Sequence, residues 1–380
     1  MRSITRVALT AVVAASVIHV GTGDRADAEA LEPTAIVSIG DSFISGEAAR
    51  WKGNSTDGWG DRDGTDRAYR GLFDYDVDSI YIDGTNRSGC HRADPAPVTV
   101  TFIRVDAKLN LACAGARAEH VISSDSGGQW YRGEAPQADQ LADVADSHLI
   151  EMVVVSIGGN DLGYSDIILD CTVAYTTSLL WWKNRCAENE QTEVDAALRE
   201  TMAGVARALR DIRAVLDDNG DGDARVVLMS YPSPVPRGEE LRYGSRWSRI
   251  FEGGCPFWRS DLTWARDSLV PQIAGELRSV AREVGVEFLD LQDLFDGREV
   301  CSKTAAHSDG SPSSYEDEWV RFVTTGLLQG EAQESLHPNY FGQRAIGRCI
   351  ELVMVAEPGG EWTCTNRPGY GAWALDLTEI

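Results

Sequence analysis

The sequence is short of positive charge. Lys and Arg total 35 against 59 Asp and Glu, a formal charge of −24. That deficit excludes a nucleic-acid partner held by excess cations, and it argues for a soluble chain. Close CxxC pairs are also missing, which excludes the common structural zinc sites and leaves no metal to expect. Beyond the first twenty residues no run is long and apolar enough to cross a bilayer. There is no internal repeat and no low-complexity linker, so neither a solenoid nor beads on a string is indicated. Histidine is scarce at six residues, and few side chains are therefore available as a general base near neutral pH.

What is present suits a filled globular core: 380 residues, 43% hydrophobic, with 11 Trp. Arg2 and Arg6 make a basic start, 7–20 is mostly apolar, and small residues surround Ala28. This reads as an export signal over 1–28, with 29–380 as a single domain outside the cell. The apolar run is short for a membrane anchor, and His19 interrupts it. In an exported chain the eight cysteines should pair. They are Cys90, Cys113, Cys171, Cys186, Cys255, Cys301, Cys349 and Cys364. Of about a hundred connectivities, sequential pairing closes four short loops and is the one expected.

Apolar, β-branched runs at 34–40, 108–115, 151–159, 224–232 and 285–291 read as buried strands. Between them Val194, Leu198, Met202, Val205, Leu209, Ile212 and Leu216 recur at helical spacing. A second helix is expected over 260–284, interrupted near Pro271, and a third over 339–352, capped by Asn339. Alternating strands and helices mean an α/β fold with a mainly parallel sheet. Residues 51–92 form a loop-rich insertion in it.

Sites in such sheets lie at the carboxyl ends of the strands. Those ends carry Gly40-Asp41-Ser42, Cys113-Ala114-Gly115 and Gly158-Gly159-Asn160-Asp161. A serine there attacks an acyl carbon only with a base and with donors for the developing oxyanion. Of the histidines, His337 stands on a loop just before the last helix, stiffened by Pro338, and is the base to expect. His120 and His148 sit in helical contexts and read as structural or surface groups. Asp41 and Asp161 read as turn-bracing side chains.

Four motifs in order, "GDSFISGE", "NLACAGA", "IGGND" and "HPNYFGQRAIG", resemble those of the SGNH hydrolases, also called the GDSL lipase/esterase family. The likeness spans roughly 34–352 and is nearest to secreted actinobacterial esterases and lipases. It implies a three-layer α/β/α sandwich with a flavodoxin-like sheet, and a serine esterase or lipase that needs no cofactor. Ser42 would be the nucleophile and His337 the base. Ser42, Gly115 and Asn160 would form the oxyanion hole. The likeness also implies a Cys90–Cys113 bridge followed by two more. Where the family usually carries Asp, this chain has Glu334, which would orient His337 through its carboxylate or its main-chain carbonyl. The partner implied is a small-molecule or lipid ester. An acyltransferase or glycan O-deacetylase would use the same residues, and a binding protein on an inactive scaffold would not need all four.

Two features stand outside these motifs. "DDNGDGD" at 217–223 has the oxygens of a calcium loop in Asp217, Asn219 and Asp221, but Leu228 where a bidentate Glu belongs. An ordinary helix-to-strand turn explains it as well. Trp181 and Trp182 stand on a loop that can roof the crevice, where either lines an acyl pocket or touches lipid; otherwise they pack beneath a loop closed by Cys171 and Cys186.

Overall fold

The apolar runs pair side by side because each is buried on both faces. In the computed structural model, which describes residues 32–55, 64–71, 74–178, 181–324 and 330–380, nine strands are seen. They are β1 (Thr34–Gly40), β2 (Tyr69–Gly71), β3 (Asp74–Tyr75), β4 (Ala107–Asn110), β5 (Leu149–Ser156), β6 (Arg225–Met229), β7 (Glu287–Asp290), β8 (Glu361–Asn366) and β9 (Leu375–Glu379). The export signal expected over 1–28 lies outside the described residues, as do Trp59 and Phe73 of the insertion.

Seven strands form one sheet in the order β4-β1-β5-β6-β7-β8-β9. All neighbours are parallel except β8 and β9. Numbered by chain order within this sheet, the first five strands run 2-1-3-4-5, the flavodoxin-like order. The order reverses between β1 and β5, where a crevice opens at the strand ends. The small ribbon β2–β3 stands apart from this sheet, in the insertion.

The described helices are α1 (Ser42–Ser45), α2 (Thr85–Ser88), α3 (Gln137–Ala145), α4 (Tyr164–Thr177), α5 (Ala187–Asn219), α6 (Arg246–Phe251), α7 (Arg259–Trp264), α8 (Val270–Val284) and α9 (Tyr340–Val355). The stripe from Val194 to Leu216 lies on α5, which packs between α3 and α8. With α9 against the sheet's far strands, the result is a three-layer α/β/α sandwich. Pro33 to Ile380 form one compact unit.

Three expectations need correction. Strands β8 and β9 were not anticipated, because their polar residues alternate with apolar ones at a half-buried edge. The helix near Pro271 does not break. A π-helix, Ala265–Leu269, joins α7 to α8, and Pro271 falls in the first turn of α8, where its missing N–H costs nothing. Trp181 and Trp182 do not pack beneath a loop: they are 81% and 72% exposed.

The cysteines pair sequentially as Cys90–Cys113, Cys171–Cys186, Cys255–Cys301 and Cys349–Cys364. Loop length ranks their contributions. Replacing Cys171 and Cys186 by Ser, which frees a separation of 15 residues, is expected to cost about 3 kcal/mol. The same change at Cys255 and Cys301, separated by 46, is expected to cost about 4 kcal/mol. Urea denaturation of the two double variants checks the ranking.

Candidate active site

Strand β1 ends where β5 comes closest. Asp41 donates its N–H to the Ser156 carbonyl at 2.9 Å. Gly40 has φ +140°, and a Cβ there would sit 1.9 Å from that carbonyl oxygen, so only glycine fits. The buried Gln137 amide clamps Gly40 from the other side, accepting from its N–H at 2.6 Å and donating to its carbonyl at 2.9 Å. The chain then turns into α1, with Asp41 as its N-cap accepting from Phe43 N–H at 3.1 Å. Ser42 is thereby fixed at the mouth of the sheet.

The second strand-end corner is tied to the first. Cys113 N–H reaches the Gly40 carbonyl at 3.0 Å, and Ala114 N–H the Cys90 carbonyl at 3.0 Å. Gly115 has φ +83°, and a Cβ there would meet the Tyr131 hydroxyl at 2.5 Å. The third corner is tied to both. Asn160 Nδ2 donates to the Ala116 carbonyl at 2.9 Å, and Asp161 accepts from Ala118 N–H at 3.2 Å. Tyr231, at the end of β6, donates to Asp41 Oδ2 at 2.5 Å and accepts from Gly159 N–H at 3.0 Å. Asp41 and Asp161 therefore brace turns, as their residue type suggests. Burial pushes the Asp41 carboxyl up to about 7, against the hydrogen bonds from Tyr231 and Phe43 that hold it down. Among the described residues the backbone N–H groups of Ser42 and Gly115 have no hydrogen-bond partner, and the second N–H of the Asn160 amide has none either.

The last partner arrives from 295 residues away. Asn339 caps α9 through Phe341 and Gly342 N–H, and His337 precedes that cap. Its Nε2 lies 2.6 Å from Ser42 Oγ. Its Nδ1 lies 3.1 Å from the Ser335 carbonyl, which can only accept, so Nδ1 carries the proton and Nε2 offers its lone pair to the hydroxyl. Burial, and to a lesser extent the charge of His91, push this imidazole down to about 4. It is neutral at pH 7 and able to take a proton from Ser42. Leu336 beside it is held at φ +58°, a conformation branched apolar residues rarely adopt, and its buried side chain faces an apolar pocket.

Glu334 does not take the role expected of it. Its carboxylate accepts from Trp51 Nε1 at 2.9 Å and Tyr81 OH at 3.0 Å, with Arg50 at 3.9 Å. Its main-chain carbonyl accepts the N–H of His337 at 3.3 Å, not the imidazole. Glu334 thus fastens the insertion to the His337 loop, and the imidazole is oriented by Ser335 instead. Trp51 and Tyr81 are buried in doing so, and Tyr81 also joins a small second core with Ala49, Ala68, Ile80 and Ala93. His91 is buried against Glu47 at 2.9 Å and stacks on Tyr81 at 4.5 Å. His120 accepts from Arg117 N–H, and His148 bonds Ser147 at the surface.

Sequence reasoning missed Gln137, Tyr231 and Ser335. Tyr231 had a signal, since it lies near the carboxyl end of a predicted strand. Gln137 and the Ser335 carbonyl had none. The carboxylates of 217–223 lie in the turn that closes α5, where Asp221 N–H returns to the Leu216 carbonyl. Among the described residues no three His, Cys, Asp or Glu side chains gather as metal ligands would.

The family description "GDSL-like Lipase/Acylhydrolase" matches residues 38–345, most of the chain. The chain belongs to that family. The hydrolase is also similar to Lipase 1 of Streptomyces coelicolor, 26% identical over 321 residues, which covers 84% of this chain and 87% of that one. A solved carbohydrate esterase overlaps 86% of the hydrolase and 69% of its own chain, at 12% identity and a TM-score of 0.32.

Two outcomes follow. His337 should stay neutral by NMR titration until about pH 4, below its ordinary 6.5. The unfolded chain then binds this proton first, so this group's contribution is whole above about pH 6.5 and is lost as pH falls toward 4. Glu334→Gln should lower stability by about 1–3 kcal/mol, because Trp51 and Tyr81 lose a charged acceptor, and leave the His337 titration unmoved. A shifted His337 titration in that variant would restore a direct link between the two residues.

Proposed function

We propose that the hydrolase is an exported serine esterase that cleaves carboxylic esters. His337 Nε2 takes the proton of Ser42 Oγ as the oxygen attacks the ester carbonyl. The Ser42 and Gly115 N–H groups and the Asn160 amide receive the negative oxygen. His337 then returns the proton to the leaving alcohol, and an acyl-serine remains. Water, deprotonated by the same imidazole, attacks that acyl group and frees the acid. Nothing in the cycle calls for a metal or a cofactor. The observation that carries this reading is the 2.6 Å bond between Ser42 and an imidazole whose other nitrogen faces a carbonyl. Four disulfides and the basic, apolar start of the sequence support export.

The acyl group has a place to go. Phe43 packs on His337 with ring centroids 5.0 Å apart and on Tyr164 at 5.8 Å. Tyr164, Ile167, Val235, Phe257, Leu269 and Leu336 line an apolar cavity of about 50 Å³. At roughly 10–15 Å³ per water-sized group this holds a chain of about three to five such groups. Two irregular segments meet here: the left-handed Leu336 and the π-helix that supplies Ala265 and Leu269. We assign the acyl chain of the ester to this cavity, and short chains fill it best.

An organophosphonate should label Ser42 with one equivalent, and Ser42→Ala should abolish both labelling and p-nitrophenyl ester turnover. Absence of labelling in the wild-type protein would refute the reading. Across acyl lengths kcat/KM should peak near butyrate. Phe257→Ala should move the peak to longer chains without changing the acid limb of the pH profile, which follows His337 toward pH 4.

A further inference from the structure

Beyond the apolar cavity α4 leads to a second one. Tyr164 stands at the active-centre end of this helix and Tyr175 in the wall of a cavity of about 330 Å³. The eleven helical steps from one to the other cover about 17 Å. Lys183, Arg185, Arg246, Arg249 and Arg259 line the cavity, and no carboxylate does. Among the described residues none of these five cations forms an ion pair within 4.0 Å. In a chain with a charge of −24 such a grouping is out of keeping with the whole.

Arg246, Arg249 and Arg259 are held by neutral oxygens, which fix their position without an ion pair. Arg246 donates to the carbonyls of Ser178 at 2.6 Å and Tyr175 at 2.9 Å, closing the end of α4. Arg249 donates to Phe257 at 2.9 Å and Tyr243 at 3.1 Å, and Arg259 to the Gly238 carbonyl. Lys183 lies 5.1 Å from the ring of Trp258. Asp261, which feels the charge of Arg185, accepts from Cys186 N–H at 3.4 Å.

Large apolar side chains stand in solvent beside these cations. Trp181 and Trp182 immediately precede Lys183, and Trp247 follows Arg246 at 60% exposure. Indole rings on a soluble surface find their best environment at a lipid–water interface, with the ring among the acyl chains and the N–H near the headgroups.

We propose that this cavity receives the phosphate of an anionic lipid headgroup, with Trp181, Trp182 and Trp247 seated in the interface around it. The net negative charge does not forbid this. At physiological ionic strength charges more than about 8 Å away are screened, so the five local cations outweigh distant carboxylates. Docked there, the chain keeps its active centre one helix length from the lipid surface. The site stands whether or not the ester chemistry is as proposed.

Cosedimentation of the exported form, residues 29–380, with vesicles at 0.15 M salt tests it. Binding should be strong to phosphatidylglycerol-containing vesicles and weak to pure phosphatidylcholine. Lys183 and Arg185 are exposed and make no fold-bearing bond, so the Lys183→Gln/Arg185→Gln variant should fold normally and lose about 25-fold in partitioning, at roughly fivefold per charge. Trp181→Ala/Trp182→Ala should weaken binding while leaving Ser42 labelling intact. Equal binding to both lipids, or no effect of the charge variant, would overturn the proposal. So would binding of glycerol phosphate or dextran sulfate as tight as that of the anionic vesicles, since either would make the cavity a site for soluble anions.

Discussion

The close approach of β1 to β5 at Gly40 is the constraint on which the site rests. A glycine without Cβ lets the Asp41 amide reach the Ser156 carbonyl, and the chain turns at once into α1. Any other residue at 40 would push the two central strands apart. Ser42 would then leave the plane in which His337 meets it. The same contact lies where the strand order reverses, so the sheet opens at the point where its second and third strands meet.

Around that contact three strand ends are laced by buried hydrogen bonds between main chain and polar side chains. Gln137 holds Gly40, Tyr231 joins Asp41 to Gly159, and Asn160 reaches back to Ala116. Each bond is modest on its own. In a buried setting its loss strands a partner without water, which costs more than the bond itself contributes. The corners therefore hold one geometry, and the free N–H groups of Ser42 and Gly115 stay pointed out of the lacework instead of being consumed by it.

The insertion serves this centre from behind. Glu334 accepts from Trp51 and Tyr81, so residues nearly three hundred positions apart are pinned together next to His337. His91 on Glu47 and Tyr81 on His91 continue the same buried layer. Burial of His337 in it keeps the imidazole neutral. In this one layer carboxylates support the loop and a carbonyl supports the ring.

The sequence by itself determined the alternation of strands and helices, the places of Ser42 and His337 and the three strand-end corners; the choice of sequential disulfides among the many connectivities was settled by the structure. Local signals carry the former: apolar period, glycine and a cap. Strands β8 and β9 were hidden because a half-buried edge strand alternates like an exposed segment. The partner of Glu334, the clamp from Gln137 and the role of the Ser335 carbonyl were decided only in three dimensions. A carboxylate three residues before a histidine is close in the chain, but the donors that satisfy it, Trp51 and Tyr81, come from the other end of it. Buried hydrogen-bond donors choose acceptors by distance in space, and no spacing along a sequence records that choice.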